Sequence, residues 1–261
     1  MKSGDVNEIW RAHPLCRAYR IVVLTTAQVG IQAADGLREH RFGWALGFLP
    51  NKEAEVLGLW AYPALGSEVA RNLYERGVER IALLVDAGWP EAASEVLKAY
   101  PRAHRLQSTE HFIRTVSSTL RHRRRVAFSS RVRVVFDTGS ATELQRTVQE
   151  ADALRRRPAM RYQSRLLPEA QRLSDELFAH SEHDRCFVLA ADRTASVLLE
   201  ELERTVRKNG YFLNHDAAVK FIEKALLGAE RRMDRERAAL AAPRRPPRAA
   251  SEDCPAGSRA V

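Results

Sequence analysis

Asp86 is the residue best placed to do chemistry. It ends the apolar run Ile81-Ala82-Leu83-Leu84-Val85, which shows no alternation and so reads as a strand buried on both faces. An acid at the carboxyl end of such a strand sits where α/β sheets place ligands and catalytic groups. The same Asp precedes Ala87-Gly88 and the helix start Trp89-Pro90-Glu91, where it would equally accept orphan N–H groups of a cap, and both readings stay open. Ser108, His111 and Arg114 form a second constellation, SxxHxxR. An imidazole there suits a ligand position or a partly buried, hydrogen-bonded one. Arginine supplies the third: Arg121, Arg123, Arg124 and Arg125 around RHRRR, then Arg131 and Arg133, then Arg155, Arg156 and Arg157. Guanidinium forks match phosphate oxygens two at a time, so runs of this density suit phosphate contact as well as a solvated face.

Other chemistries have no support. No GxxxxGK[ST], GxGxxG, GxSxG or HExxH occurs, so nucleotide cofactors, serine hydrolysis and zinc proteolysis are not indicated. Cys16, Cys186 and Cys254 are far apart and odd in number, so neither a disulfide framework nor a CxxC zinc site is encoded. MKSGDVNEIWRAH has no apolar signal region, and Ile21 to Leu24 or Ile81 to Val85 is far short of the roughly 20 residues of a spanning helix. These features predict a soluble, cytoplasmic protein without membrane contact.

The elements that must position these residues begin with short β-rich runs. Ile21 to Leu24, Phe42 to Phe48 and Val56 to Trp60 are separated by AADG at 33–36 and by Pro50-Asn51, which reads as an antiparallel meander. The period then changes. A helix opens at Ser67-Glu68 with Val69 and Leu73 on one face and Gly77 as its closing residue, followed by the buried strand to Asp86. A helix from Pro90 is closed by Pro101, and a short strand runs from Ala103 to Gln107. The order βββαβαβ predicts a mixed α/β sheet with an antiparallel edge on a parallel core. Trp44, Trp60 and Trp89 fall at core positions.

From Thr109 to Asp184 the pattern is helical, with Phe112, Val116 and Leu120 at steps of four. Cys186 to Ala190 is a short apolar run, a helix follows from Thr194, and a last helix runs from about Asp216. The division expected is an extension over 1–19, a sheet-bearing core over 20–108, a helical Arg-rich insertion over 109–185, the rest of the core over 186–228 and a disordered Pro- and Arg-rich tail over 229–261.

Charge concentrates in that insertion. The 261 residues carry 42 Lys+Arg against 33 Asp+Glu, a net charge of +9, and only six of the cations are Lys. Between Arg102 and Arg165 there are 15 Arg against five acids. With 45% hydrophobic residues the chain can bury a core, so the basic excess is read as a surface for a polyanion.

Taken in order, EVLGLW at 55–60, Gly66-Ser67-Glu68, LYERGVERIALLVDAGWPEA at 73–92, AYPRAHRLQSTEHFIR at 99–114 and LLEELERTVRKNGYFLNHDAAVKFI at 198–222 resemble the bacterial Mutator-type insertion-sequence transposases. That family is a branch of the DDE transposases with an RNase H-like fold. The resemblance implies DNA as a partner and strand cleavage and joining by two Mg2+ ions held by three carboxylates. On this likeness Asp86 takes the second carboxylate position. The first falls on Thr25, or at best Thr26, and the third on Ser196, none of them acidic. Asp192 and Glu200 lie near the third position and Asp35 near the first. On the same likeness the family's CxxH is met only by Ser108 and His111, and the expected N-terminal DNA-binding region would be nearly absent, with residues 1–19 standing before the first strand.

The function expected is a degenerate transposase that binds DNA through Arg114, Arg121, Arg123, Arg124, Arg125, Arg131, Arg133, Arg155, Arg156 and Arg157. Two alternatives accompany it: an active enzyme using Mg2+ and the substitute acids, and a non-catalytic protein that forms a homodimer or pairs with a full-length transposase.

Overall fold

In the computed structural model, residues 13–61, 66–118, 120, 122–153 and 160–241 are described. Within them lie five strands and eight helices. Strands β1 (Ala18–Ala33), β2 (Gly36–Phe48) and β3 (Ala54–Ala61) form the expected meander. Helix α1 (Gly66–Glu75), strand β4 (Arg80–Ala87), helix α2 (Pro90–Ala99) and strand β5 (His104–Gln107) follow. The strands make one mixed sheet in the order β3-β2-β1-β4-β5. Pairing is antiparallel from β3 to β1 and parallel from β1 to β5.

Side chains alternate along each strand, so the sheet has two apolar faces. Val22 and Leu24 of β1 and Leu84 of β4 pack against Val69, Leu73, Ala93 and Val96 of α1 and α2. Ile21, Val23, Ala27 and Val29 of β1, with Leu83 and Val85 of β4, face the other helices. The three tryptophans expected in the core are all buried there. Gly77, at φ +99°, ends the turn after α1 as the sequence predicts.

Six helices follow, α3 (Thr109–Ser118), α4 (His122–Thr138), α5 (Ala141–Ala153), α6 (Met160–Phe178), α7 (Glu182–Asn209) and α8 (His215–Ala241); α6, α7 and α8 lie against the sheet, and α3, α4 and α5 pack on neighbouring helices. Helix α7 lies along β1 and begins at Ser181, whose hydroxyl accepts from the Asp184 N–H at 3.2 Å. An ion pair between Arg20 and Asp184 fastens its start to the sheet. The run Cys186 to Ala190 is therefore internal to one helix, which crosses residue 186 without a break.

The predicted disordered tail needs correction at its start. Helix α8 does not stop at Gly228 but continues to Ala241. Polar contacts hold the added turns: the Val56 N–H donates to Glu230 Oε1 at 3.0 Å, and Arg232 pairs with Glu201. ERRMDRERAAL consists largely of good helix formers, so the loss of an apolar period did not end the helix. Residues 1–12 and 242–261 lie outside the described residues.

Candidate functional site

Asp86 closes β4 opposite Leu24 of β1 and Gln107 of β5. Its carboxylate is buried, and both oxygens accept hydrogen bonds. Oδ1 accepts from the backbone N–H of Gly88 at 3.1 Å and of Trp89 at 2.8 Å. Oδ2 accepts from the Arg105 guanidinium at 2.6 Å. The cap reading of the sequence is thus close to what is seen: Asp86 holds the turn into α2, although the cap position itself is Trp89. Gly88 takes φ +103°, and a Cβ there would come within 2.8 Å of the His111 ring, so the turn requires glycine on both counts.

His111 stands over this turn. Burial, aided by the neighbouring Arg114 cation, pushes its pKa below the ordinary value, with Asp86 and Glu169 opposing, so the ring is neutral at pH 7. A cavity of about 330 Å³ opens between the ends of β4 and β5 and the helices, lined by Asp86, Arg105, Gln107, His111, Arg172 and Glu176 among others. Cations and acids pair in its lining: Arg105 with Asp86, and Arg172 with Glu176 at 3.8 Å, while Arg172 also reaches Gln107 Oε1 at 3.0 Å.

Thr25 is buried on β1, and its hydroxyl donates to the Ala87 carbonyl at 3.3 Å. Ser196 lines a different cavity, about 380 Å³, together with Glu200, Glu110, Arg133 and Arg193. Asp192 is 2% exposed and serves α3: its carboxylate accepts from Ser108 Oγ at 2.6 Å, Thr109 Oγ1 at 2.7 Å and the Glu110 N–H at 3.0 Å. Burial raises its pKa above the usual carboxylate range, against the pull of those hydrogen bonds. Asp35 lies in the exposed β1–β2 turn and pairs with Arg38. Among the described residues, no group of three or more His, Cys, Asp or Glu is placed to hold a metal ion.

The sequence pattern of the family described as Transposase, Mutator family matches residues 4–233. This chain belongs to the Mutator transposase family. No curated protein matched it. Within this Mutator-family fold, the helical section that the sequence marks as basic comprises α3 to α6. Among the described residues there, several arginines are engaged with the protein itself. Arg131 pairs with Glu150 at 2.5 Å, and Arg133 grips buried Glu110 with two bonds of 2.9 and 2.6 Å. Arg125 donates to the carbonyls of Leu120 and Ser118, and Arg114 lies 3.9 Å from Glu203. Arg123 and Arg124 are exposed on α4. Arg121, Arg155, Arg156 and Arg157 lie outside the described residues.

Two residues of the site were not singled out from the sequence of this Mutator-family chain. Arg105 gave no motif, and only the β4–β5 register places it beside Asp86. Glu110 binds Arg133, with Arg193 3.7 Å away, and gave no motif either, since its burial shows only in the folded chain. Among the described residues no helix is long and apolar enough to cross a membrane.

Proposed function

We propose that this Mutator-family protein is a transposase relative with an RNase H-like core that retains DNA binding and has lost two-metal strand cleavage. The sheet order β3-β2-β1-β4-β5, with its antiparallel and parallel halves, supports the RNase H-like assignment. The observation that carries the loss is the state of Asp86. Two Mg2+ ions need several carboxylates converging with free oxygen lone pairs. Here the one family carboxylate is already neutralised by Arg105 and bound to two backbone N–H groups. The hydroxyl at the first position, Thr25, is turned to Ala87, and a hydroxyl cannot offset divalent charge. Of the substitute acids, Asp192 is spent on α3 and Glu200 lines a separate cavity. The residues present do not fit a divalent pair, and no cleavage step is assigned to them.

Incubation with element-end DNA and Mg2+ or Mn2+ tests this reading. No nicked or joined product is expected. Product that disappears in Asp86→Ala would overturn the proposal. Retained DNA binding is tested by a salt series, since counterion release predicts a steep fall of affinity with salt. Binding absent at low salt removes that half of the reading.

A further inference from the structure

We propose that the phosphate backbone of duplex DNA lies in the groove between α7 and α8, not on the paired arginines of α4; this rests on the DNA-binding reading above. The groove has a volume of about 520 Å³ and an apolar floor that includes Leu202, Ala225 and Ala229. Arg204, Lys208 and Lys224 stand on its rim, all exposed. Among the described residues no side chain of these three makes an ion pair or hydrogen bond. That sets them apart from Arg131 and Arg133, whose charges are answered by Glu150 and Glu110.

The single acid in the lining, Glu201, is itself neutralised by Arg232. The row continues on α8, where Lys220 and Arg231 lie four residues before and seven after Lys224 and so on the same side of the helix. A cation in the last turn of a helix is explained by the macrodipole, which accounts for Lys208. It does not account for Lys224, in the middle of α8. Cations held apart from their own protein's acids keep a counterion atmosphere that a polyanion can displace, and this is the charge complementarity that selects the occupant. The floor supports close approach: a Cβ on Gly228 would meet no atom within 4 Å.

The experiment uses the full chain and a fluorescently labelled random-sequence duplex, titrated across a salt series. In Arg204→Ala/Lys208→Ala/Lys224→Ala the slope of log affinity against log salt should shrink by about 2.7, at about 0.9 for each phosphate contact removed. Gly228→Glu, which puts a negative charge into open space, should weaken binding at every salt concentration. Circular dichroism confirms that both variants are folded; Gly228→Glu alone decides if the triple variant is not. Wild-type affinity in a folded groove variant, with loss in Arg123→Ala/Arg124→Ala, would put DNA on α4 and overturn this proposal while sparing DNA binding. No binding by the wild type removes both. Competition by polyglutamate as strong as by unlabelled duplex would overturn it in favour of an acidic protein partner.

Discussion

The Asp86 carboxylate, near the C-terminal end of β4, and the Arg105 guanidinium, on the neighbouring parallel strand β5, lie 2.6 Å apart. One fixed positive charge thus stands where the family resemblance calls for a divalent cation. A ligand that binds only the folded state raises stability with its concentration, by about 2.7 kcal/mol at a hundredfold excess over its dissociation constant. Adding Mg2+ should therefore leave the melting temperature of the wild type unchanged beyond the effect of matched ionic strength. A saturable rise that Asp86→Asn abolishes would show a working metal site.

Arg105→Gln removes the charged partner of a carboxylate that remains buried. The guanidinium is 43% exposed, so solvent screens much of the pair, and the expected loss is about 1 kcal/mol. Urea unfolding measures it. The two N–H groups of Gly88 and Trp89 still hold Oδ1, so the turn into α2 should survive and the loss should stay below that of Asp86→Ala, which frees both.

Asp192 carries a pH dependence whose sign can be worked out. Its folded pKa is raised, chiefly by burial, above the unfolded value of about 3.9. Its contribution is therefore fully present below that unfolded value and is lost as pH rises through the folded one. Wild-type stability, relative to Asp192→Asn, should improve on acidification from neutral pH, because the neutral side chain of the variant does not titrate. Asp192→Ala is a different case. It strands the hydroxyls of Ser108 and Thr109 and the N–H of Glu110 at the start of α3, costing about 2–4 kcal/mol. Denaturant unfolding at several pH values separates the two effects.

What the sequence could tell depended on whether a residue's role was local. The runs around Ile21, Phe42 and Val56 announced strands because alternation and turn residues are local signals. The outer half of the β1–β2 hairpin was not legible: Gln28, Gln32, Arg38, Glu39 and His40 lack the apolar pattern, and backbone pairing such as Val29 with His40 and Ile31 with Arg38 carries the strands outward. The run from Cys186 to Ala190 read as a separate piece because buried Val188 and Leu189 adjoin half-buried Phe187, so its apolar side is too broad to show a helical stripe. Arg105 was invisible for a stronger reason. Its role exists only once β4 and β5 are in register, with Leu84 opposite Arg105 and Asp86 opposite Gln107. The surroundings of the α4 arginines were equally out of sight, since counting charge does not reveal that Glu150 pairs with Arg131 and Glu110 with Arg133.

Gly43 tests how tightly the Asp86 turn is tied to the core. A Cβ there would lie 2.1 Å from Cζ3 of Trp89, the residue whose N–H Asp86 holds. The indole is buried, with the Trp60 ring centroid 6.2 Å from its own, so it has little room to withdraw. Gly43→Ala should destabilise by about 1–3 kcal/mol, the usual cost of overpacking. A neutral result in urea unfolding would mean that the turn can shift as a unit. Gly228→Ala, which meets no atom, should by comparison stabilise by about 0.5–1 kcal/mol as a helix-interior glycine replaced.

The Glu110 to Arg133 pair distinguishes arginines that build the protein from those free to bind. Glu110 is 5% exposed and takes a two-pronged bond from Arg133, whose pKa is raised chiefly by that bond. Arg193 adds a second cation at 3.7 Å from Glu110 and reaches Asp137 at 3.3 Å, so α3, α4 and α7 meet in one network. Arg133→Gln leaves a buried carboxylate with one distant cation, and with Arg133 itself 38% exposed the expected cost is about 1–2 kcal/mol. Arg123→Gln, at an exposed position on the same helix, should stay within about 0.5 kcal/mol of the wild type. Equal losses for the two in chemical denaturation would place the stabilising role of this helix outside the Glu110 network.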